Sequence, residues 1–347
     1  MIKTSREVTI YDVAKALNLS PSTVSRALKD HPHIKQETKR KIRSVAREMG
    51  YRHNKFASSL RLTKTQTIGV VVPRLNSYFM AAAIAGIEKI TSDNGYGLVI
   101  SQSQESARKE AACISTLFNS RVDGLLISLA ADTDNLEHFN LLFSKNIPVI
   151  FFDRVSDCYN CMRVVIDNYR AGYEATAHLV EQGCKRIVHL GGSLRRNVYS
   201  DRFAGYRQAL ADNGIAFDQR LVFSGDMSEL SGTVTAQKMI RMKPRPDGIF
   251  TSNDTSAVAV MVELLDSGIR IPEDIAVAGF NNDPISHLIT PNLTTIDYPA
   301  REMGEIAANA LISKLGNSES ASLSTIILRH NLVVRSSSLR NINNNKK

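Results

Sequence analysis

Apolar positions repeat with two different rhythms along this chain, and the change falls near residue 65. In the first stretch the rhythm is helical: Ile10, Val13, Ala14 and Leu17 recur at i, i+3, i+4 and i+7, the spacing of one buried helix face. Thr9 precedes them and Asp12 lies three residues on, a capping box with Asp in the usual Glu position. Asn18-Leu19 makes a short turn. Ser20 then offers an N-cap hydroxyl, and Pro21 suits the first helical position, where no N–H is needed. The pattern predicts a second helix to about Leu28, with Val24, Ala27 and Leu28 inward. A third is predicted near 36–49, with the stripe Ile42, Val45, Ala46 and Met49 and a stop at Gly50. Lys35 is a poor cap for it.

From residue 67 onward, apolar runs of strand length alternate with amphipathic stretches. Strands are predicted at Ile68–Val72, Leu98–Ser101, Gly124–Ser128 and Pro148–Asp153, then at Val164–Ile166, Arg186–Leu190, Leu221–Phe223, Gly248–Thr251 and Ile275–Gly279. Helices fall between them, among others over 80–93, 106–119, 170–182 and 255–267. Several strands are unbroken Val/Ile/Leu runs, as expected when both sheet faces are covered. The pattern is that of α/β domains with doubly wound parallel sheets. Its length, about 270 residues, suits two such subdomains better than one. Open parallel sheets bind ligands at the carboxyl ends of their strands. The polar residues there are Asp153-Arg154, Asn253-Asp254 and Asn281-Asn282-Asp283.

Composition narrows the class. The 347 residues are 43% hydrophobic and 22% charged, ordinary globular usage that excludes disordered, collagen-like and coiled-coil chains. No apolar run approaches the ~18–20 residues of a membrane span, and the first residues lack a signal-peptide core, so a cytoplasmic protein is expected. Charge changes the picture more. Residues 1–64 hold 15 Lys/Arg and 5 Asp/Glu, whereas the remainder holds 28 and 29. A basic head on a near-neutral body draws a polyanion to the head.

Two helices joined by a three- or four-residue turn match the helix-turn-helix motif. The outward positions of the second are Pro21, Ser22, Ser25, Arg26 and Lys29. Short or basic side chains suit a helix lying in a major groove: hydroxyls bond phosphate or base, and Arg bonds guanine bidentately. Residues 54–64 are polar with isolated apolar positions. A helix that short is marginal alone in water, so a linker is the default reading. Cys158 and Cys161 have C-x-x-C spacing but no second pair, and a structural zinc needs four ligands. No metal or cofactor is expected, since H-E-x-x-H, Walker A, G-x-G-x-x-G and G-x-S-x-G motifs are all missing.

The run Val8-Thr9-Ile10-Tyr11-Asp12-Val13-Ala14, then Leu19-Ser20-Pro21-Ser22-Thr23-Val24-Ser25-Arg26-Ala27-Leu28, resembles the lactose-repressor/galactose-repressor family. The likeness continues through Gly50-Tyr51, Asn54, Ile68-Gly69-Val70, Asp201-Arg202-Phe203-Ala204-Gly205-Tyr206, Ser252-Asn253-Asp254, Val277-Ala278-Gly279-Phe280 and Pro291-Asn292-Leu293-Thr294-Thr295-Ile296. The resemblance implies a homodimeric transcription regulator, a repressor as a rule. It implies a helix-turn-helix head reading a pseudo-palindromic DNA operator, and a body similar to periplasmic sugar-binding proteins that holds a small-molecule effector. It divides the chain into a DNA-binding domain at 1–53, a hinge at 54–64, a core at 65–337 and a disordered tail at 338–347. The N-subdomain would take about 66–167 and 297–325, the C-subdomain about 168–296 and 326–337. Thr9, Ser20, Pro21, Ser22, Ser25, Arg26, Lys29 and His33 fall on its DNA-binding positions. Asn54, Ala57 and Leu60 fall on hinge positions facing the minor groove, with Leu60 where a leucine pries open a base step, against the linker reading. In the effector cleft it places Arg202, Asn253, Asp254, Asp153, Tyr78, Phe79 and Asn281, the last in place of a more usual aspartate.

Two other functions compete. An enzyme could use the same sheet, but no nucleophile–base pair or cofactor motif marks one, and fold alone does not give function. A transport solute-binding protein would explain neither the basic head nor the lack of a signal peptide.

Overall fold

Three helices build the head: α1 (Ile10–Ala16), α2 (Pro21–Leu28) and α3 (Gln36–Glu48). The computed structural model describes residues 8–51, 65–156, 161–316 and 325–340, and the chain divides into two compact units, Met1–Thr65 and Gln66–Lys347. The capping box forms: the Asp12 amide donates to Thr9 Oγ1, and Asp12 Oδ2 accepts from the Thr9 amide at 2.8 Å. Ser20 caps α2 by accepting from the Thr23 amide at 3.1 Å. Lys35 makes no side-chain cap to α3. Val13, Ala14, Val24, Ala27, Ile42 and Ala46 form one small buried core, ringed by half-buried Leu17, Leu28, Ile34 and Met49. Gly50, at φ 70, ends α3 in the left-handed conformation that lets the Tyr51 amide reach back to the Ala46 carbonyl at 2.8 Å.

The body begins with β1 (Thr67–Val72), α4 (Tyr78–Asp93), β2 (Gly97–Gln102), α5 (Ala107–Asn119), β3 (Gly124–Ile127), α6 (Asn140–Ser144), β4 (Val149–Phe152) and β5 (Met162–Ile166). It continues with α7 (Asn168–Glu181), β6 (Ile187–Gly191), α8 (Asn197–Asp212), β7 (Val222–Ser224), α9 (Glu229–Arg241), β8 (Gly248–Thr251), α10 (Asp254–Asp266) and β9 (Ala276–Asn281). Last come β10 (Thr294–Asp297), α11 (Ala300–Leu315), β11 (Thr325–Leu328) and β12 (Asn331–Val333). Two six-stranded sheets result, ordered β11-β5-β4-β3-β1-β2 and β12-β10-β9-β8-β6-β7. The same order, second-first-third-fourth, opens each sheet. Each therefore has a switch point beside its first strand, β1 in one and β6 in the other, where loops leave in opposite directions and a crevice opens.

Three findings depart from the sequence expectation. β12 runs antiparallel to β10, so the second sheet is not wholly parallel. β11 pairs with β5 through Leu328, so the last crossing between subdomains lies after 328, past the expected 325. The tail expected to be disordered from 338 is docked at its start. Ser338 is buried and bonds His178 and Thr294, and the Arg340 guanidinium donates to the Pro272 and Asp247 carbonyls. Polar side chains tie it down, which an apolar pattern does not reveal.

Paired glycines set how closely the helices meet. A Cβ on Gly304 would stand 2.0 Å from the Ala83 carbonyl oxygen, and one on Gly86 2.1 Å from that of Arg301, so α4 and α11 touch backbone to backbone. In the other subdomain Gly172 meets Arg202 and Gly205 meets Tyr169 in the same way, at 2.3 and 2.1 Å. This second pair seats α8 on α7 and fixes where Arg202 stands.

Candidate DNA-binding head and effector cleft

On α2, the side chains of Ser22, Arg26 and Lys29 are exposed, as are Ser20 and His33 beside it, while Pro21 and Ser25 are half-buried. The Ser20 hydroxyl is occupied as a cap and also lies 2.8 Å from Ser22 Oγ. Thr9 donates its hydroxyl to Asp12 at 2.6 Å, so it serves α1 first. Sequence reasoning missed the brace under the α2–α3 turn. Lys39 is buried, and its ammonium meets the Asp30 carboxylate and carbonyl, each at 3.1 Å. Arg43 meets the same carboxylate at 3.0 Å. Lys39 and Arg43 hold Asp30 below the usual carboxylate range. Asn54, Ala57 and Leu60 lie outside the described residues, as does Cys158.

The carboxyl ends of the two sheets enclose a cavity of about 410 Å³. Its wall includes Phe79, Asp153, Arg202, Asn253 and Asn281 of the expected set. Asp153 follows β4 in the left-handed conformation, φ 59, rare for a residue with a side chain. Its carboxylate accepts from Ser128 Oγ and the Tyr298 hydroxyl, both at 3.0 Å. Burial pushes the Asp153 carboxyl up, against the pull of the Arg154 and Arg202 guanidinia. Arg202 is buried on α8. It donates from Nε to Asn168 Oδ1 at 2.8 Å and from Nη1 to the Ser252 carbonyl at 2.9 Å, with its plane 3.4 Å from the centre of the Phe280 ring. Desolvation lowers its pKa. Asn253 lines the cavity but is also engaged at both ends, donating to the Met227 carbonyl at 2.8 Å and capping α10 through the Ser256 amide at 3.0 Å.

Two expected residues stand elsewhere. Asp254 is fully buried behind the wall, accepting from the Asp283 amide and Thr295 Oγ1, both at 2.7 Å. Burial and the neighbouring Asp283 push its carboxyl well up, and it braces the 281–283 loop. Tyr78 is more than half exposed and lines a neighbouring depression with Phe79 and Pro299.

The wall also holds Arg74, Glu105, Tyr199, Asp226 and Tyr298, which the sequence pattern did not mark for the site, and Arg154, which it placed at a strand end beside Asp153. Arg74 stands just beyond the carboxyl end of β1, so the rule that singled out Asp153 and Arg154 would have found it as well. Tyr298 follows β10, a strand whose Thr-Thr-Ile-Asp sequence shows no apolar run. Several bonds cross from one subdomain to the other. Asn197 donates to the Asp153 carbonyl at 3.1 Å and accepts from the Val155 amide at 2.9 Å. Arg154 donates to the Tyr199 hydroxyl at 3.0 Å, Arg195 pairs with Asp134 at 2.8 Å, and Arg196 donates to the Thr133 carbonyl. Arg74 approaches Asp226 at 3.9 Å. Among the described residues no group of three His, Cys, Asp or Glu side chains is placed to hold a metal, and no helix is long and apolar enough to cross a membrane.

A helix-turn-helix head on a two-sheet body with a polar cavity between its halves has counterparts among known proteins. The sequence model for bacterial regulatory proteins of the lacI family matches residues 9–54, and that for a periplasmic binding protein-like domain matches residues 176–338. Catabolite control protein A of Priestia megaterium is 30% identical over 331 residues, 95% of this chain and 99% of that protein. The chain belongs to the LacI family. Two solved structures extend the likeness to the fold. The lac repressor dimer bound to operator and the anti-inducer ONPF superposes with a TM-score of 0.83 at 26% identity, covering 96% of this chain and 100% of that one. The transcriptional regulator CelR in complex with cellobiose gives 0.73 at 26% identity, covering 95% and 100%. This LacI-family member is thus a DNA-binding transcriptional regulator with an effector-binding body, and its relatives are regulators rather than enzymes.

Proposed function

We propose that this regulator represses transcription as a homodimer on a pseudo-palindromic operator, and that a sugar or sugar derivative in the cavity controls it in the cytoplasm. The observation that carries the effector reading is the buried Arg202, aimed into a polar cavity among Asp153, Asn253 and Asn281. Fixed donors and acceptors around one guanidinium suit a molecule rich in hydroxyls. The dimer reading is supported by exposed apolar side chains on adjoining elements of the second subdomain: Leu230 on α9, Val262 and Leu265 on α10, and Ile285 and Leu288 after β9. Single exposed apolar residues are ordinary, but a run of them marks an interaction face. The head reads bases through Ser22 and Arg26, with Thr9, Ser20, Ser25, Lys29 and His33 toward the backbone, Pro21 in apolar contact, and the hinge through Asn54, Ala57 and Leu60.

Two measurements test this reading. Binding to a selected operator should weaken by roughly 10³–10⁵-fold between 50 and 200 mM salt if about 6–10 phosphates are neutralised, and a chain beginning at Gln66 should lose it. Thermal-shift screening of the full chain against sugars should find a stabilising compound, and Arg202→Ala should abolish that shift while sparing operator binding. An Arg202→Ala protein that responds like the parent makes Arg202 structural and the assignment of the cavity wrong.

A further inference from the structure

Glu105 occupies a place that another anion could fill. Two consecutive residues with side chains, Gln104 and Glu105, take the left-handed conformation beyond β2, φ 52 and 61. Such backbone is costly and persists where its surroundings enforce it. Here it brings the Glu105 carboxylate onto three donors. Oε1 meets Arg74 Nε at 3.2 Å, and Oε2 meets Arg154 Nη1 at 2.6 Å and the Ala131 amide at 3.1 Å. Glu105, Arg74 and Arg154 all line the cavity. Two guanidinia converging on one carboxylate is the arrangement that also binds a phosphate. The rest of the wall adds no surplus positive charge. Arg202 has spent Nε and Nη1 on Asn168 and Ser252, and Asp153, Asp226 and Asp283 bring carboxylates of their own.

We propose that Glu105 sets the charge of the effector: by holding Arg74 and Arg154 it makes the cleft accept an uncharged polyhydroxyl compound and reject its phosphate ester. The inference rests on the cleft being the effector site. Loss of this one charge leaves Arg74 with the more distant Asp226 at 3.9 Å and Arg154 with the neutral Tyr199 hydroxyl, and turns the same wall into an anion site. Glu105→Gln keeps the length of the side chain and an oxygen for the Ala131 amide, so it tests the charge alone. Glu105→Asp is the charge-retaining control, and Glu105→Gln with Arg154→Met removes the freed guanidinium.

The full chain, each variant and the double variant are titrated by calorimetry and thermal shift. The probes are a panel of hexoses and pentoses, their phosphate esters, and inorganic phosphate against chloride at matched ionic strength. The parent and Glu105→Asp should prefer an uncharged sugar over its ester. Glu105→Gln should bind the ester or phosphate about 10–100-fold more tightly than the parent, the worth of one freed charge-assisted hydrogen bond, and the double variant should lose that gain. A parent that binds an ester at least as tightly as the sugar overturns the proposal and leaves the cleft reading standing, as does a folded Glu105→Gln protein with no gain. If no compound of either charge binds the parent or any variant, the cleft reading falls and the proposal with it.

Discussion

Arg26 and Asp283 show how much one residue carries in each unit. Arg26 is exposed on α2 and is the long donor with planar geometry among the outward positions of that helix. A bidentate contact to guanine contributes about 1–3 kcal/mol of discrimination. Arg26→Ala should therefore weaken binding to a selected operator by that amount and relax the preference at one base pair per half-site, read by competition against single-base variants. Equal losses on operator and random DNA would make it a phosphate contact. Asp283 is buried at the cavity wall, and its pKa is pushed up to about 6 by desolvation, partly offset by Asn281. Its folded value lies above its unfolded one, so the stabilisation belongs to the neutral form. That stabilisation is fully present below about pH 4 and is lost as pH rises through 6. Asp283→Asn should then raise stability by up to about 3 kcal/mol at pH 7.5, with the gain shrinking toward pH 4. Asp153 is shifted in the same direction but not by Asp283, whereas Asp254 is raised in part by Asp283, so the difference between parent and variant reports residue 283 together with its effect on Asp254. A gain that is constant across pH would refute the assignment.

The elements were legible wherever the apolar pattern was long. The capping box, the Ser20-Pro21 start and the stop at Gly50 fix the head helices because local chemistry decides them. The buried strands β1, β3, β4, β6, β8 and β9 read as continuous apolar runs for the same reason. The strands β10, β11 and β12 did not: Thr, Asp and Asn make up much of β10 and β12, and β11 is a lone apolar triplet after a polar stretch. Site residues followed the same division only in part. Asp153, at the carboxyl end of a visible strand, was found, whereas Arg74 past the visible β1 was overlooked and Tyr298 lay on an element the pattern hid. Asp254 illustrates a different limit: its position matches a motif, but only the fold reveals that it faces inward to Thr295 and the Asp283 amide. The glycine contacts between helices were illegible as well, because a glycine in a helix reads as a weak propensity and nothing more. Their cost is testable. Gly172→Ala forces a methyl to within 2.3 Å of the Arg202 carbonyl oxygen, so α8 must lift from α7. Stability should fall by about 3 kcal/mol, the upper end for overpacking, as measured by chemical denaturation. The effector response should fall with it, because the Asn168–Arg202 bond spans the same seam. A variant with parental stability would mean that the helices part freely.

At the scale of the whole body, the two sheets are joined by three chain crossings, after β5, after β10 and after β11, and by polar bonds that Arg195, Arg196 and Asn197, at the entry to α8, make across the cleft. Arg195 and Asp134 are exposed, and such a pair is worth little by itself. Asn197 and Arg196 contribute more, because their partners are backbone groups with few alternatives. The same helix presents Tyr199 to the cavity in its first turn and Arg202 about one turn later, so any rotation of α8 moves the seam and the cavity wall together. This geometry also sets a clock. Arg202 is only 4% exposed, at the back of a cavity that the seam bonds cross, and a solute is expected to reach it when the seam parts. Capture then has a bottleneck that belongs to the protein, and crowding more solute against the mouth cannot hasten it. In rapid mixing with binding to the open form fast, the observed relaxation rate should fall with rising concentration and level off at the opening rate, as for a change that precedes binding. Asn197→Ala, which removes two of the bonds across the seam, should lift that plateau without altering its shape. A regulator built this way would ignore brief bursts of a compound and answer to its sustained supply.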